Sequence, residues 1–210
     1  MDQGAVQGLG RRAALAALAA LLVGGVAMSW VSRGGPSSAA AAATAGQLAL
    51  LGPVALAAIS LFDLFTVPAL HQTLKSYGYA LVLVATGCAG VGDLLGVAGR
   101  LSQAAAVVTA LDGGTSFAIA LDTLERSLNT GGFVLVAVSF SSFGVLFWRA
   151  GERSLAIIAI ATGILTGSGQ FPGLEPLFYL ANVGFLAWYI ALVVRFRPSR
   201  TTLTPASPGR

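Results

Sequence analysis

Six apolar runs, most of them close to the length of a membrane-crossing helix, take up the greater part of this chain. They cover about 12–31, 47–70, 79–99, 131–148, 155–169 and 176–194. A hydrocarbon layer of about 30 Å needs roughly twenty apolar residues in helical form. Five runs meet that need and the fifth, 155–169, is short of it. The runs are continuous and do not alternate between apolar and polar positions, as lipid-facing barrel strands must. Composition agrees: 56% of residues are hydrophobic and only 10% charged, against about 25% charged in a typical soluble domain. The expectation is an all-α, polytopic transmembrane helix bundle of six spans, forming one domain over 1–197. A polar tail, 198–210, with Pro198, Pro205 and Pro208, is expected to be disordered and cytoplasmic.

The first run invites another reading. Arg11-Arg12 before an Ala/Leu stretch also describes a secretory signal peptide. The stretch exceeds the usual 7–15 residue apolar region, and its end, Met28-Ser29-Trp30-Val31, is too bulky for a good cleavage site. A retained first helix is expected.

The interval 100–130 separates the third and fourth runs. Asp112-Gly113-Gly114 is a turn signal within it. Downstream, Phe117, Ala120, Leu121, Leu124 and Leu128 recur at helical spacing, with Asp122, Glu125 and Arg126 facing elsewhere. This pattern predicts a separate interfacial helical segment between spans three and four, apolar face toward the bilayer and acidic residues toward water.

The net charge of +4 does not indicate nucleic acid, because the basic residues are dispersed and sit mostly at the ends of apolar runs. Such residues set orientation. With a cytoplasmic N-terminus, Arg11, Arg12, Lys75, Arg149, Arg153, Arg195, Arg197, Arg200 and Arg210 fall on the cytoplasmic side. Arg33, Arg100 and Arg126 fall opposite. The bias places both termini inside, and the Ala-, Gly- and Arg-rich usage fits a bacterial plasma membrane.

Within the apolar runs two acidic residues stand out, Asp63 and Asp93. A mid-membrane carboxylate costs at least about 2.5 kcal/mol, so each is a candidate binding residue. The competing reading is packing glue, a carboxyl bonded to a neighbouring helix. Ser60, Asp63 and Thr66 form a polar stripe, with Pro68 a turn further on. At about 1.5 Å per residue, Asp63 stands roughly 12 Å from the cytoplasmic end of its run and Asp93 about 22 Å from its own. A straight antiparallel pair does not bring two such carboxyls together. Asn182 in the last run stands about 20 Å deep, close to Asp93, and its amide is the candidate donor to that carboxyl.

No cofactor, metal centre or catalytic set is legible. His71 is the single histidine and Cys88 the single cysteine, which excludes bis-histidine haem, multi-histidine metal centres and intrachain disulfides. Gly92-x-x-x-Gly96 and Gly163-x-x-x-Gly167 are read as close helix contacts. Ser139, Ser142, Thr162 and Thr166 are read as bonding their own helix carbonyls.

Two resemblances follow from these residues. Gly90-Val91-Gly92-Asp93 is similar to the Gly-x-Gly-Asp of intramembrane aspartyl proteases, which would pair Asp93 with Asp63. Pro68-Ala69-Leu70, however, precedes that motif instead of following it, and the depths disagree. Over 47–197 the chain resembles the bacterial six-helix membrane family called domain of unknown function 4386. The resemblance lies in Val67-Pro68-Ala69-Leu70 with its basic loop to Lys75, in Phe147-Trp148-Arg149, and in Trp188-Tyr189 before Arg195. Asn182 stands where that family usually has an acidic residue. The resemblance implies a topology and no activity. The functional expectation is a membrane protein that binds or transports a small solute or ion around Asp63, Asp93 and Asn182. The alternative is a structural or partner-binding subunit. Membrane lipid is the one partner the sequence points to; a protein partner or homo-oligomer is left open.

Overall fold

The structure, a computed structural model, describes residues 3–31 and 38–196. Among them the chain is all-helical: α1 (Gln3–Val31), α2 (Ser38–Ala45), α3 (Leu51–Leu74), α4 (Tyr79–Leu111), α5 (Thr115–Arg149), α6 (Arg153–Ser168) and α7 (Glu175–Arg195). Short 3-10 turns, Gly46–Leu50 and Lys75–Tyr77, join α2 to α3 and extend α3. Five stretches are long and apolar enough to cross a membrane: Gly4–Val26, Ser38–Tyr77, Tyr79–Leu111, Thr115–Arg149 and Pro176–Arg195. The helix α6 is apolar but has only 16 residues, so length alone supports five spans, not the expected six. The tail beyond 196 lies outside the described residues.

The helices α4, α5 and α6 alternate in direction because the two links between them are tight turns. Gly113 (φ +84°) and Gly151 (φ +81°) adopt the left-handed conformation that ends a helix. Around Gly151 the Glu152 N–H returns to the Phe147 carbonyl at 2.9 Å and the Gly151 N–H to that of Trp148 at 3.1 Å. The start of α1 and the end of α7 meet at one end of the bundle, the base, where Gly10 lies against Ala69 and Phe196. The last turns of α3 and α5 and the first of α4 and α6 share this base. There Arg195 pairs with Glu152 at 2.7 Å, and Arg149 donates to the Tyr77 carbonyl at 3.4 Å.

Small residues set the helix spacing. Gly92 and Gly132 bring the backbones of α4 and α5 together, with each glycine's carbonyl 3.0 Å from where the other's Cβ would stand. Gly96 abuts Ser60 of α3, and Gly163 abuts Ala137 and Ser141 of α5. The close-contact reading of these glycines therefore holds. Basal aromatics fill the core. Trp188 has Phe140 at 5.0 Å and Phe147 at 5.8 Å between ring centroids, arrangements that add to area burial.

The expected interfacial segment is not a separate element. Residues 101–111 continue α4 and 115–128 begin α5, so the two form one hairpin of 33- and 35-residue helices turning at Asp112-Gly113-Gly114. Its acidic side also departs from the expectation, meeting protein instead of water. Phe117 (63% exposed) and Leu124 (47%) face outward, while Asp122 and Glu125 turn inward to protein partners. The acidic residues find a helix N-terminus and an arginine there, and both attract carboxylates more than an apolar contact rewards the leucines.

Candidate functional site

The polar stripe of α3 and the Gly-x-Gly-Asp of α4 meet in the bundle. A cavity of about 30 Å³ is lined by Asp63, Thr66, Val67 and Leu70 from α3, Ala89 and Asp93 from α4, Val136, Ser139, Phe140 and Phe143 from α5, and Trp188 from α7. One water needs roughly 10–15 Å³ of such space. The space admits about two or three waters or a small ion.

The depth argument against pairing the two aspartates is therefore wrong, for a reason visible in the hairpin. The helix α3 runs through Pro68 to Leu74 and adds the turn Lys75–Tyr77. Asp63 thus lies further from the base than the apolar run implied. Asp63 and Asp93 are equally distant along the chain from Gly78, as are Ser60 and Gly96, which touch. A symmetric hairpin puts both carboxyls at one level.

The two carboxyls differ in surroundings. Asp63 is half-buried and accepts a hydrogen bond from the Tyr189 hydroxyl at 2.5 Å. Tyr189 is fully buried on α7, so this bond crosses from α3 to α7. Asp93 is 6% exposed, and no donor reaches its carboxyl among the described residues. The Thr66 hydroxyl is committed to the Asp63 backbone carbonyl at 2.9 Å. Ser139, read as bonding its own helix, instead lines the cavity. Level with the two carboxyls, α1, α5, α6 and α7 carry no charged side chain; Arg11 and Arg12 of α1 lie about one turn nearer the base.

Asn182 does not join this site. It is exposed on α7 and donates to the Phe178 carbonyl at 3.2 Å. Equal depth placed it beside Asp93; the rotation of α7 turns Tyr189 and Trp188 inward and Asn182 out. The sequence reading missed Tyr189 as a site residue, noting it only as an aromatic corner. A tyrosine inside an apolar run needs a partner for its hydroxyl, and that was the available signal.

A second polar cluster lies toward the far end. Arg100 pairs with Glu125 at 3.1 Å, both side chains about 15% exposed or less, and also donates to Gln103 at 3.1 Å. Asn129 donates to the same Glu125 carboxylate, beside Gly99, where a Cβ would collide with the amide oxygen. Next to it the Asp122 carboxylate accepts from the Ser38 N–H at 3.0 Å and from the Ser38 hydroxyl, capping α2. No group of three or more His, Cys, Asp or Glu suited to a metal ion occurs among the described residues.

No family model, curated protein or solved structure matches this chain.

Proposed function

We propose that this is a polytopic membrane protein that binds, and in moving carries, a small ion at Asp63 and Asp93. The observation that carries the reading is two carboxyls lining one cavity of about 30 Å³ with no basic side chain beside them among the described residues. Uncompensated acidic groups at mid-bundle are expensive, and intramembrane carboxyls of this kind mark ion and proton pathways. In this reading α6, about 24 Å long, is the sixth crossing. An even number of crossings accords with α1 starting and α7 ending at the same base. That base gathers Arg11, Arg12, Lys75, Arg149, Arg153 and Arg195, which by the positive-inside tendency orients it to the cytoplasm of a bacterial plasma membrane.

A second reading, an intramembrane aspartyl protease, draws on the shared cavity, since that chemistry needs two carboxyls at one site. The volume is too small for a peptide, and Pro68-Ala69-Leu70 remains in the wrong order. Incubation with a transmembrane peptide is expected to give no cleavage.

The test is thermal unfolding of the purified protein in detergent, varying pH and exchanging Na⁺, Li⁺ or K⁺ for an inert organic cation. A bound ion at a hundredfold excess over its Kd stabilises by about 2.7 kcal/mol. That shift is expected in the wild type and absent in Asp63→Asn and Asp93→Asn. Variants that respond like the wild type would remove the site.

A further inference from the structure

Charge balance and volume narrow the ion. Asp63 comes from α3 and Asp93 from α4; α5 faces them with Ser139, Val136, Phe140 and Phe143, and α7 with Trp188 and Tyr189. No arginine, lysine or histidine faces them from these helices, and α1 and α6 bear no charge at that level. Two anionic carboxylates so placed must be balanced by what they bind. A divalent metal ion would want six or more oxygen ligands or retained waters. Here one oxygen of Asp63 already holds Tyr189, and the space of about 30 Å³ takes about two or three waters, short of that set. A monovalent metal ion neutralises one charge but needs several oxygen ligands or waters of its own. A proton on a carboxyl neutralises the same charge and needs no added volume.

We propose that the ion is the proton, exchanged at Asp93, with Asp63 held by Tyr189 as its partner group. This inference rests on the ion-binding reading above. Asp93 is the group without a donor, more than nine-tenths buried, and directed into the cavity. On binding, a hydronium ion in the cavity gives its proton to a carboxylate oxygen of Asp93: one O–H bond forms, one breaks, and a water remains. The acid so formed donates to that water, which reaches the free oxygen of Asp63 or the Ser139 hydroxyl. Release reverses the step, and no electron changes hands. Tyr189 is a positioning residue: its hydrogen bond fixes Asp63 and ties α3 to α7, so a change in the charge of the pair is felt at a helix that contacts both α6 and α1.

The experiment is infrared difference spectroscopy of the full chain in lipid nanodiscs, titrated with pH in water and in D₂O, with and without Na⁺ or Li⁺. The expected result is a carboxylic-acid C=O band that bleaches on titration, moves in D₂O, is indifferent to the metal ions and is lost in Asp93→Asn. Tyr189→Phe is expected to keep that band and alter its titration. Should Asp93→Asn fail to fold, Asp93→Glu and Ser139→Ala carry the same test, and a band unmoved in both overturns the assignment to Asp93. A midpoint that shifts tenfold in proton concentration for each tenfold of Na⁺ overturns the proton assignment while leaving the ion-binding reading intact. A spectrum and an unfolding curve that ignore both protons and metal ions overturn both.

Discussion

Two polar clusters lie along α4, one in the middle of the bundle among α3, α4, α5 and α7, the other toward the far end among α2, α4 and α5, and they are built on opposite principles. At the far end Glu125 meets Arg100, Gln103 and Asn129 supply or accept hydrogen bonds, and Asp122 caps α2 through Ser38. The charges of this cluster have a counter-charge or a donor, and the one polar atom left over among the described residues is the buried Asn129 amide oxygen. In the middle of the bundle Asp63 has one tyrosine hydroxyl and Asp93 has no donor among the described residues. A satisfied network joins elements and specifies their register. An unsatisfied one costs folding energy, and its retention points to a ligand that completes it. The far-end cluster is thus read as a clasp of the α4–α5 hairpin and α2, and the central pair as a site.

The clasp should show the largest effect on stability. Glu125→Ala leaves a buried guanidinium without its carboxylate, and breaking such a pair costs about 3–5 kcal/mol. Thermal unfolding in detergent should show that loss, and the double variant Arg100→Met with Glu125→Leu should recover most of it. If Glu125→Ala is tolerated while Asp93→Asn unfolds the protein, the contrast between the clusters is reversed.

A smaller loss is expected at the cap. Asp122→Ala removes the acceptor for the Ser38 N–H and hydroxyl, worth about 1 kcal/mol. Hydrogen exchange at the start of α2 should quicken, with the central site unaffected. Equal quickening around Asp93 would show that the two clusters are one coupled unit.

The smallest effect sharpens the boundary of the central site. Asn182 bonds its own helix and is exposed, so Asp93→Ala and Asn182→Ala should be additive within about 0.3–0.5 kcal/mol. A larger coupling measured by unfolding would bring Asn182 back into the site and require α7 to rotate.

The sequence determined the helical class, most of the span positions and the two acidic candidates. Those follow from local quantities: an apolar run must form a helix if it is to satisfy its backbone in lipid, and Asp63 and Asp93 stand out wherever the runs are placed. It also foretold the turn at Asp112-Gly113-Gly114 and the close contacts at Gly92, Gly96 and Gly163, because a missing side chain acts at its own position. Tertiary structure decided what touches what. Helix depth depends on where α3 stops, and its continuation past the apolar run to Leu74, with the 3-10 turn Lys75–Tyr77, brought Asp63 level with Asp93. Helix rotation cannot be read from a run that is apolar all round, so Asn182 turned out and Tyr189 in. The face of α5 near Glu125 was set by Arg100 and Ser38 from other elements, which outweighed the local apolar spacing because a buried charge needs its partner more than a leucine needs a core.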